Sequence, residues 1–200
     1  MSDTFENIDS SKVEDAIYNS SYYENYNGSA YGRTPEWLAF FDSISRAIIE
    51  TLHPKTVLDV GCAYGLLVET LRDRGVEAYG VDVSRHAINQ VRHDVAEYVN
   101  VASILEPVKE RYDLIVSIEV IEHIEEKDCQ KALENMCGAS DQILLATTPD
   151  DFDDPTHFNV NPPKYWIEKF SQYGFEPDVT FDASFLTPYA ILFRKNKRTT

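Results

Sequence analysis

The chain has 200 residues, 43% of them hydrophobic and 12% aromatic, which suits one domain with a full core. Its formal net charge of −16 disfavours nucleic acid as a partner, because affinity for nucleic acid comes largely from Lys and Arg at the phosphates. The apolar runs are too short to span a bilayer, and the polar start lacks the features of a signal peptide. These observations predict a cytoplasmic protein without a membrane partner.

The first 33 residues are polar and rich in tyrosine. The tyrosines lie among Asn, Ser and Glu, at Tyr18, Tyr22, Tyr23, Tyr26 and Tyr31. So much aromatic surface is rarely left in water, so we predict that residues 1–33 form a lid over a binding cleft. A disordered leader is the alternative. Residues 34–200 are then predicted to form a single domain.

The remaining chain alternates between strand and helix patterns. Thr34 and Pro35 are typical of an N-cap and a first helical position, and this helix is predicted to end near His53. The strands that follow are predicted at 56–60, 77–82, 97–102, 112–118 and 141–147. The helices are predicted at 64–74, from Ser84 to Val95, at 127–138 and at 163–173. This alternation indicates an α/β fold with a mostly parallel sheet. Two final strands, near 175–181 and 187–194, have no helix between them and predict an antiparallel hairpin at the sheet edge.

A small-residue turn follows the first strand. This turn, Gly61-Cys-Ala-Tyr-Gly65, lies where a nucleotide can approach the backbone, and Asp82 ends the second strand, where a βαβ unit places a carboxylate against ribose hydroxyls. The turn lacks the three spaced glycines of a dinucleotide fingerprint, and no Gly-Lys-Ser/Thr sequence is present for a triphosphate. The pattern therefore favours an adenosine-type ligand without phosphates. An ordinary turn without a ligand is the alternative.

These residues resemble the class I S-adenosylmethionine-dependent methyltransferases. The resemblance rests on Asp59 before the glycine-rich turn and on Asp82 after the second strand. It implies a Rossmann-like, doubly wound, seven-stranded sheet and S-adenosylmethionine as the cofactor. It assigns to the cofactor Arg33, Asp59, Gly61, Cys62, Ala63, Gly65, Asp82, Val83, Ser103 and Glu119.

Two of these positions depart from the family pattern. The family usually has glycine where this chain has Ala63, and it commonly has Gly-Asp where this chain has Ala102-Ser103. Ser103 is predicted to contact adenine more weakly than an aspartate does. Arg33 lies where an arginine could pair with the methionine carboxylate, and a surface arginine is the alternative.

The segment after the fourth strand carries a possible metal site. Glu119, Glu122 and His123 would share one face of a helix, and His157 could join them as a fourth ligand of Mn, Co, Fe or Zn. This pattern resembles the metal-dependent 2′-O-methyltransferases of small-RNA 3′ ends and the quinone-biosynthesis O-methyltransferases. The favoured alternative has no metal, with Glu119 near the cofactor and His123 packed or hydrogen-bonded.

Methyl transfer to a hydroxyl requires a group that takes the proton. His157, in the loop after the fifth strand, is the first candidate for this base and His123 is the second. For His157 a hydrogen bond that anchors the loop is the alternative. The tracts 156–167 and 182–189 resemble a bacterial branch of small methyltransferases thought to modify glycan-related metabolites.

The predicted function is therefore O-methylation of a small polar acceptor such as a sugar or glycan intermediate. Two alternatives stay open. One is a metal-dependent 2′-O-methyltransferase of single-stranded RNA 3′ ends, and the other is a catalytically inactive module that binds S-adenosylmethionine.

Overall fold

The computed structural model describes residues 16–25 and 30–196. Part of the predicted lid, including Tyr26, lies outside these residues. The helices of the described chain are α1 (Ser20–Glu24), α2 (Pro35–Leu52), α3 (Leu66–Arg72), α4 (Arg85–Ile88), α5 (Glu126–Ala139) and α6 (Pro163–Ser171). The strands are β1 (Thr56–Val60), β2 (Glu77–Asp82), β3 (Val99–Val101), β4 (Leu114–Ile118), β5 (Gln142–Ala146), β6 (Phe175–Pro177) and β7 (Ile191–Lys195).

The strands form a seven-stranded sheet in the order β3-β2-β1-β4-β5-β7-β6. Strands β1 to β5 run parallel, whereas β7 is antiparallel to both β5 and β6. The predicted fold class, a Rossmann-like doubly wound sheet with an antiparallel C-terminal edge, is confirmed. The strand order reverses between β1 and β4, and a crevice opens at such a point beyond the carboxyl ends of the strands.

Both faces of the sheet are covered. Successive residues of β1 point to opposite faces, so Val57 packs in the cluster of α2 and α3 while Leu58 packs in the cluster of α5 and α6. Ile44 and Ile48 of α2 are completely buried on the first face. Trp166 of α6 is completely buried on the second face. Strands buried on both sides must be apolar along their length, which is why β1, β4 and β5 read as almost unbroken apolar runs.

Helix α2 has the predicted start and end. The Thr34 hydroxyl accepts a hydrogen bond from the N–H of Trp37 at 3.4 Å, and Pro35 occupies the first turn. The helix ends at His53, whose left-handed backbone (φ 48°) turns the chain into β1. This helix brings Trp37, near its first turn, to the edge of the crevice.

The helix predicted from Ser84 to Val95 is wrong in length. Only the single turn of α4 is helical, although Val91 and Val95 are buried as their spacing indicated. The chain continues in turns, and Arg92 donates two hydrogen bonds to Asp73 at 2.8 and 2.6 Å. Turns that place Val91 and Val95 on the core therefore bury the same residues that a helix would have buried.

The last two strands are shorter than predicted. Strand β6 ends at Pro177, which lacks an N–H for the ladder, and β7 begins only at Ile191. The loop between them, residues 178–190, packs Ala183 and Leu186 into the core and reaches the crevice. In the described part of the chain, no helix is long and apolar enough to cross a membrane.

Candidate active site

A cavity of about 1340 Å³ lies beyond the carboxyl ends of β1, β2, β4 and β5. Pockets for single small molecules usually measure roughly 300–1,000 Å³. This cavity therefore has room for a cofactor and a second molecule. Predicted site residues that line it are Asp59, Gly61, Cys62, Ala63, Asp82, Val83, Ser103, Glu119 and His123.

The turn after β1 places its backbone at the cavity. The N–H groups of Gly61 and Cys62 both donate to the carbonyl of Val81, at 2.8 and 3.0 Å. Gly61 and Ala63 have positive φ values of 74° and 47°. Ala63 thus adopts the left-handed conformation that glycine adopts more easily. Gly65 does not line the cavity; it begins α3 as its N-cap.

Gly61→Ala is expected to destabilise the fold and to weaken cofactor binding. A Cβ at Gly61 would overlap Cγ2 of Val120 in addition to meeting backbone strain. Gly75→Ala is the matched control, because Gly75 also has a positive φ (85°) but has open space around it. Strain alone costs roughly 1–2 kcal/mol, and overpacking adds about 1–3 kcal/mol. Urea unfolding of the two variants measures the difference. Equal losses would rule out the predicted overlap with Val120.

Asp82 is held at the cavity by the backbone. Its carboxylate accepts hydrogen bonds from the N–H groups of Ala63 and Ser84, both at 2.8 Å. Burial raises the pKa of Asp82, and these two N–H donors oppose the shift. Burial also raises the pKa of Asp59, which lies beside it, and the charge of Asp82 adds to that effect. A carboxylate has about four acceptor positions, so Asp82 has capacity for hydroxyls as well.

The lining suits an adenosine cofactor without phosphates. Among the described residues that line the cavity, Lys127 is the only lysine and there is no arginine. Phosphates are usually bound by cationic side chains or by a glycine-rich loop with a lysine. The carboxylate of Asp82 suits the two hydroxyls of a ribose instead, and the close backbone of the Gly61 turn leaves room for the ligand.

Arg33 lies outside this cavity. Its guanidinium donates to both oxygens of Glu69, at 3.1 and 2.8 Å. Glu69 is almost completely buried and also pairs with Arg92 at 3.1 Å. The contact predicted between Arg33 and a methionine carboxylate would require these hydrogen bonds to break, so this structure does not support it.

The residues that follow the third strand also line the cavity, next to Asp82. Ser103 lies there with Val83 and Ala102, as the resemblance implied. The Ser103 hydroxyl accepts a hydrogen bond from the N–H of Leu105 at 3.2 Å, which leaves its own proton for a ligand. A role of Ser103 in binding adenine remains a prediction.

The N-terminal tyrosines form one wall of the cavity. Tyr18, Tyr22, Tyr23 and Tyr31 all line it. The hydroxyl of Ser84 donates to the carbonyl of Tyr18 at 2.5 Å, which fixes this wall beside Asp82. Tyr23 is buried against the rings of Tyr64 and His86, at centroid distances of 4.9 and 5.9 Å, and burial raises its pKa. That this wall opens and closes as a lid remains a prediction.

The predicted helical face of Glu119, Glu122 and His123 does not form. Glu119 has a positive φ of 52°, and only Ile121–His123 forms a single 3-10 turn. Glu119 lines the cavity, whereas Glu122 is completely buried. Its Oε2 has no hydrogen-bond partner among the described residues. Burial raises the pKa of both carboxyls, and the charge of Glu119 raises that of Glu122 further. Glu122 is therefore a buried acid that resists ionisation.

Glu122→Gln is expected to make the protein less sensitive to alkaline pH. A carboxyl whose pKa is raised by folding contributes stability below its unfolded pKa, and that stability is lost as pH rises through the folded pKa. Glutamine keeps the shape but cannot ionise. The variant should match the parent in acid and melt higher above neutral pH, by roughly 2–4 °C for each kcal/mol of ionisation cost removed.

Glu126→Gln is a control whose stability is expected to change in the opposite direction. The hydroxyl of Tyr165 and the ammonium of Lys169 lower the pKa of Glu126, so removing its charge should cost stability at neutral pH. Thermal melts of both variants from pH 5 to pH 9 test this pair of expectations. If Glu122→Gln lost stability at neutral pH, as Glu126→Gln is expected to, ionisation of Glu122 would not oppose folding.

His123 is oriented by the loop after β5. Its Nδ1 lies 3.1 Å from the carbonyl of Thr156 and 3.0 Å from its hydroxyl, which itself donates to Asp154 at 2.6 Å. A carbonyl accepts, so Nδ1 carries the proton and Nε2 carries the lone pair. Burial and the neighbouring His157 lower the pKa of His123 to about 4. His123 is therefore a neutral imidazole beside the cavity.

His157 lies behind His123. Its Nδ1 is bonded to the carbonyl of Asp151 at 2.9 Å, and its ring centroid is 4.6 Å from that of His123. His157 does not line the cavity. Of the two candidate bases, His123 therefore lies at the cavity, and which of them takes the proton stays a prediction. Sequence reasoning also missed Thr156 and Asp154, because the contact that orients His123 joins segments far apart in the chain.

The predicted metal ligands lie near one another but do not form a ligand group. Within residues 16–25 and 30–196, no three His, Cys, Asp or Glu side chains form a group that could hold a metal ion. Two of the four predicted ligands, Glu122 and His157, do not line the cavity. The quartet of Glu119, Glu122, His123 and His157 is thus not assembled as a ligand set.

Known proteins share this architecture and parts of this sequence. The model of a methyltransferase domain matches residues 36–179. The ubiquinone biosynthesis O-methyltransferase of Serratia proteamaculans is 37% identical over 78 residues, which cover 35% of this chain and 32% of that protein. The enzyme of the same name from Coxiella burnetii is 36% identical over 96 residues, covering 44% of this chain and 40% of that protein. The chain thus spans well under half the length of these relatives.

A solved structure extends the likeness to nearly the whole chain. Magnesium protoporphyrin IX methyltransferase from Synechocystis PCC 6803, with bound S-adenosylmethionine, superposes with a TM-score of 0.70. The match covers 94% of this chain and 98% of that one, at 15% sequence identity. At this identity the likeness establishes the fold alone.

Proposed function

This chain belongs to the class I S-adenosylmethionine-dependent methyltransferases, and on that premise we propose that it methylates a hydroxyl oxygen of a small acceptor. The observation that carries the proposal is a neutral histidine, His123, beside the same cavity that Asp82 and the Gly61 turn form. The O-methyltransferases of ubiquinone biosynthesis, similar over part of this chain, also support an oxygen acceptor.

The cofactor end of the cavity is assigned to the carboxyl ends of β1 and β2. Asp82 accepts the ribose hydroxyls while its bonds to Ala63 and Ser84 hold it in place. Gly61, Cys62 and Ala63 present backbone to the ligand. Val83 and Ser103 are assigned to the adenine, and Asp59 and Glu119, which also line the cavity, are assigned to the rest of the cofactor. When bound, S-adenosylmethionine supplies a methyl group that is already activated on a sulfonium.

The acceptor end is assigned to the space near His123. Because Nδ1 of His123 is held by Thr156, the lone pair on Nε2 is the position that takes the proton of the acceptor hydroxyl. Tyr18, whose ring lies 5.8 Å from that of His123, is assigned to positioning the acceptor. His157 and Asp154 orient the base and do not touch the acceptor.

Two kinds of small acceptor carry a suitable hydroxyl. One is the sugar or glycan intermediate expected from the sequence, and the other is a phenol. An RNA 3′ end is disfavoured by the net charge of −16.

Calorimetry followed by label transfer tests the proposal. S-adenosylmethionine is expected to bind at least roughly 100-fold more tightly than NAD, a difference of about 2.7 kcal/mol. Label from methyl-labelled cofactor should then appear in hydroxyl compounds of a panel that also contains amines and carboxylic acids. Tighter binding of NAD would overturn the cofactor assignment. Label only in amines or acids would overturn the oxygen assignment.

Two further outcomes identify the alternatives. Cofactor binding without transfer to any compound would favour the inactive binding module. Transfer to single-stranded RNA that stops with EDTA and returns with Mn²⁺ would favour the RNA enzyme.

A further inference from the structure

The N-terminal tyrosines pack against the segment that carries the ribose carboxylate. We call these tyrosines the tyrosine wall, and its members are Tyr18, Tyr22, Tyr23 and Tyr31. Asp82 is only 8% exposed, and Ser84, two residues beyond it, donates its hydroxyl to the carbonyl of Tyr18. The tyrosine wall therefore lies directly beside the residue to which the ribose of the cofactor is assigned.

An ion pair holds the other end of the tyrosine wall. The N–H of Tyr31 donates to the carbonyl of Tyr23 at 2.7 Å, and the two rings lie 5.9 Å apart. Two residues further on, Arg33 donates to both carboxylate oxygens of Glu69 on α3. Tyr31 thus connects the ion pair at Arg33 to the part of the wall beside Asp82.

Glu69 has a second cation that does not belong to the N-terminal segment. Arg92 pairs with Glu69 at 3.1 Å and is itself held by Asp73 and Asp94, both at 2.6 Å. The side chain of Glu69 is 4% exposed, whereas that of Arg33 is 46% exposed. A buried carboxylate without a partner is costly, but Arg92 remains beside Glu69 when Arg33 returns to water. The pair can therefore break and re-form without leaving a buried charge unpaired.

We propose that Arg33 is a positioning residue whose ion pair with Glu69 latches the tyrosine wall over bound S-adenosylmethionine and sets how fast the cofactor enters and leaves. This inference rests on the cofactor site of the proposed function. Arg33 acts through Tyr31 and does not touch the cofactor. Gly32, between these two residues, has open space around it, so the backbone there can turn as the wall moves.

A latch of this kind changes rates without changing affinity. The Arg33–Glu69 pair stabilises the closed wall equally with and without a ligand, so its loss should accelerate association and release by the same factor. Their ratio, the Kd, should then stay the same. A residue that contacts the cofactor would instead change the Kd. This difference separates a positioning role of Arg33 from direct contact.

Trp37 reports on the tyrosine wall without any label. Its indole N–H donates to the carbonyl of Ala30 at 3.0 Å, and its ring centroid lies 4.8 Å from that of Tyr31. The other tryptophan of the chain, Trp166, is completely buried in the cluster on the opposite face of the sheet and gives a constant background. Stopped-flow fluorescence can therefore follow the binding and release of S-adenosylhomocysteine by the full chain.

Arg33→Ala is expected to accelerate both the association and the release of S-adenosylhomocysteine about tenfold, which is about 1.4 kcal/mol less stability of the closed wall. The Kd should stay within about threefold of the parent's. Arg33→Lys keeps the charge but loses the bidentate bond, so its rates should lie between those of the parent and of Arg33→Ala. Methylthioadenosine has the same nucleoside but no carboxylate, and it should show the same acceleration.

Arg74→Ala is the matched control for this substitution. Arg74 also donates two hydrogen bonds to a carboxylate, that of Asp42, at 3.1 and 2.6 Å. Neither residue lines the cavity. The rates of the control should equal those of the parent. If Arg74→Ala accelerated exchange as much as Arg33→Ala, the effect would not be specific to the tyrosine wall and the latch would be overturned.

Two further results would overturn the latch. One is unchanged association and release rates in Arg33→Ala. The other is a Kd for S-adenosylhomocysteine that rises about tenfold while the Kd for methylthioadenosine does not change, because Arg33 would then hold the carboxylate itself. None of these measurements uses an acceptor, so these results leave the proposed methylation of a hydroxyl untouched. A parent chain that bound neither ligand would instead overturn the proposed function.

Discussion

Asp82→Asn is expected to weaken the binding of S-adenosylmethionine about 100-fold, or by roughly 2.7 kcal/mol. Both carboxylate oxygens of Asp82 accept backbone N–H groups, from Ala63 and Ser84. Asparagine has only one acceptor oxygen, so its NH₂ group would face an N–H donor, and the side chain would also lose its charge. The turn and the ribose site are then disturbed together. Calorimetry measures the change in Kd.

Asp182→Asn is the matched control for this substitution. Asp182 accepts the N–H of Ser184 at 2.9 Å, just as Asp82 accepts the N–H of Ser84. Asp182 is exposed and lies outside the cavity. The control should keep the parent's Kd. A Kd for Asp82→Asn within threefold of the parent, in a variant that melts cooperatively, would remove Asp82 from the cofactor site.

Much of the fold could be predicted because its signals are local. Strands β1 and β2 have the bounds predicted from the sequence, because each apolar run is followed by turn residues that can be recognised in the sequence. The Gly61 turn could be placed for the same reason, because only small residues allow the backbone to approach a ligand. The start of helix α2 could be predicted from Thr34 and Pro35.

The details of the site depend on contacts between distant segments. Arg33 pairs with Glu69, and no pattern in the sequence links two residues that far apart. Glu119 has a left-handed backbone that interrupts the helical spacing to Glu122. Spacing along the chain could therefore suggest a metal-binding face, but only the folded backbone decides whether such a face exists.

The ranking of His157 above His123 as the candidate base also failed to take account of contacts between distant segments. His157 follows β5, where the fold places ligands, so the sequence favoured it as the base. The loop folds back so that the Asp151 carbonyl holds His157 behind His123. His123 was the second candidate because its partner, Thr156, could not be recognised from the sequence.

His123→Ala is accordingly expected to lower kcat about 10²- to 10⁴-fold, the usual contribution of a positioned acid or base. The cofactor Kd should stay within threefold, because Asp82 and the Gly61 turn make no hydrogen bond to His123. His123→Gln separates packing from proton transfer, since glutamine can still donate to Thr156 but is no base. An active glutamine variant would show that His123 only packs, whereas two inactive variants with normal cofactor binding are the expected result.

His157→Ala should have a smaller effect on kcat, about tenfold, together with a change in the pH profile. His123 works as a base only when it is neutral, so activity falls as pH falls through its pKa, which is about 4 in the parent. Burial, and then the neighbouring His157, lower that pKa. Removing His157 relieves both effects, so the pKa of His123 rises and the acid limb of the pH–rate profile moves to higher pH. A purely structural role of His157 would lower the rate without moving this limb, so the position of the limb decides whether His157 tunes the base.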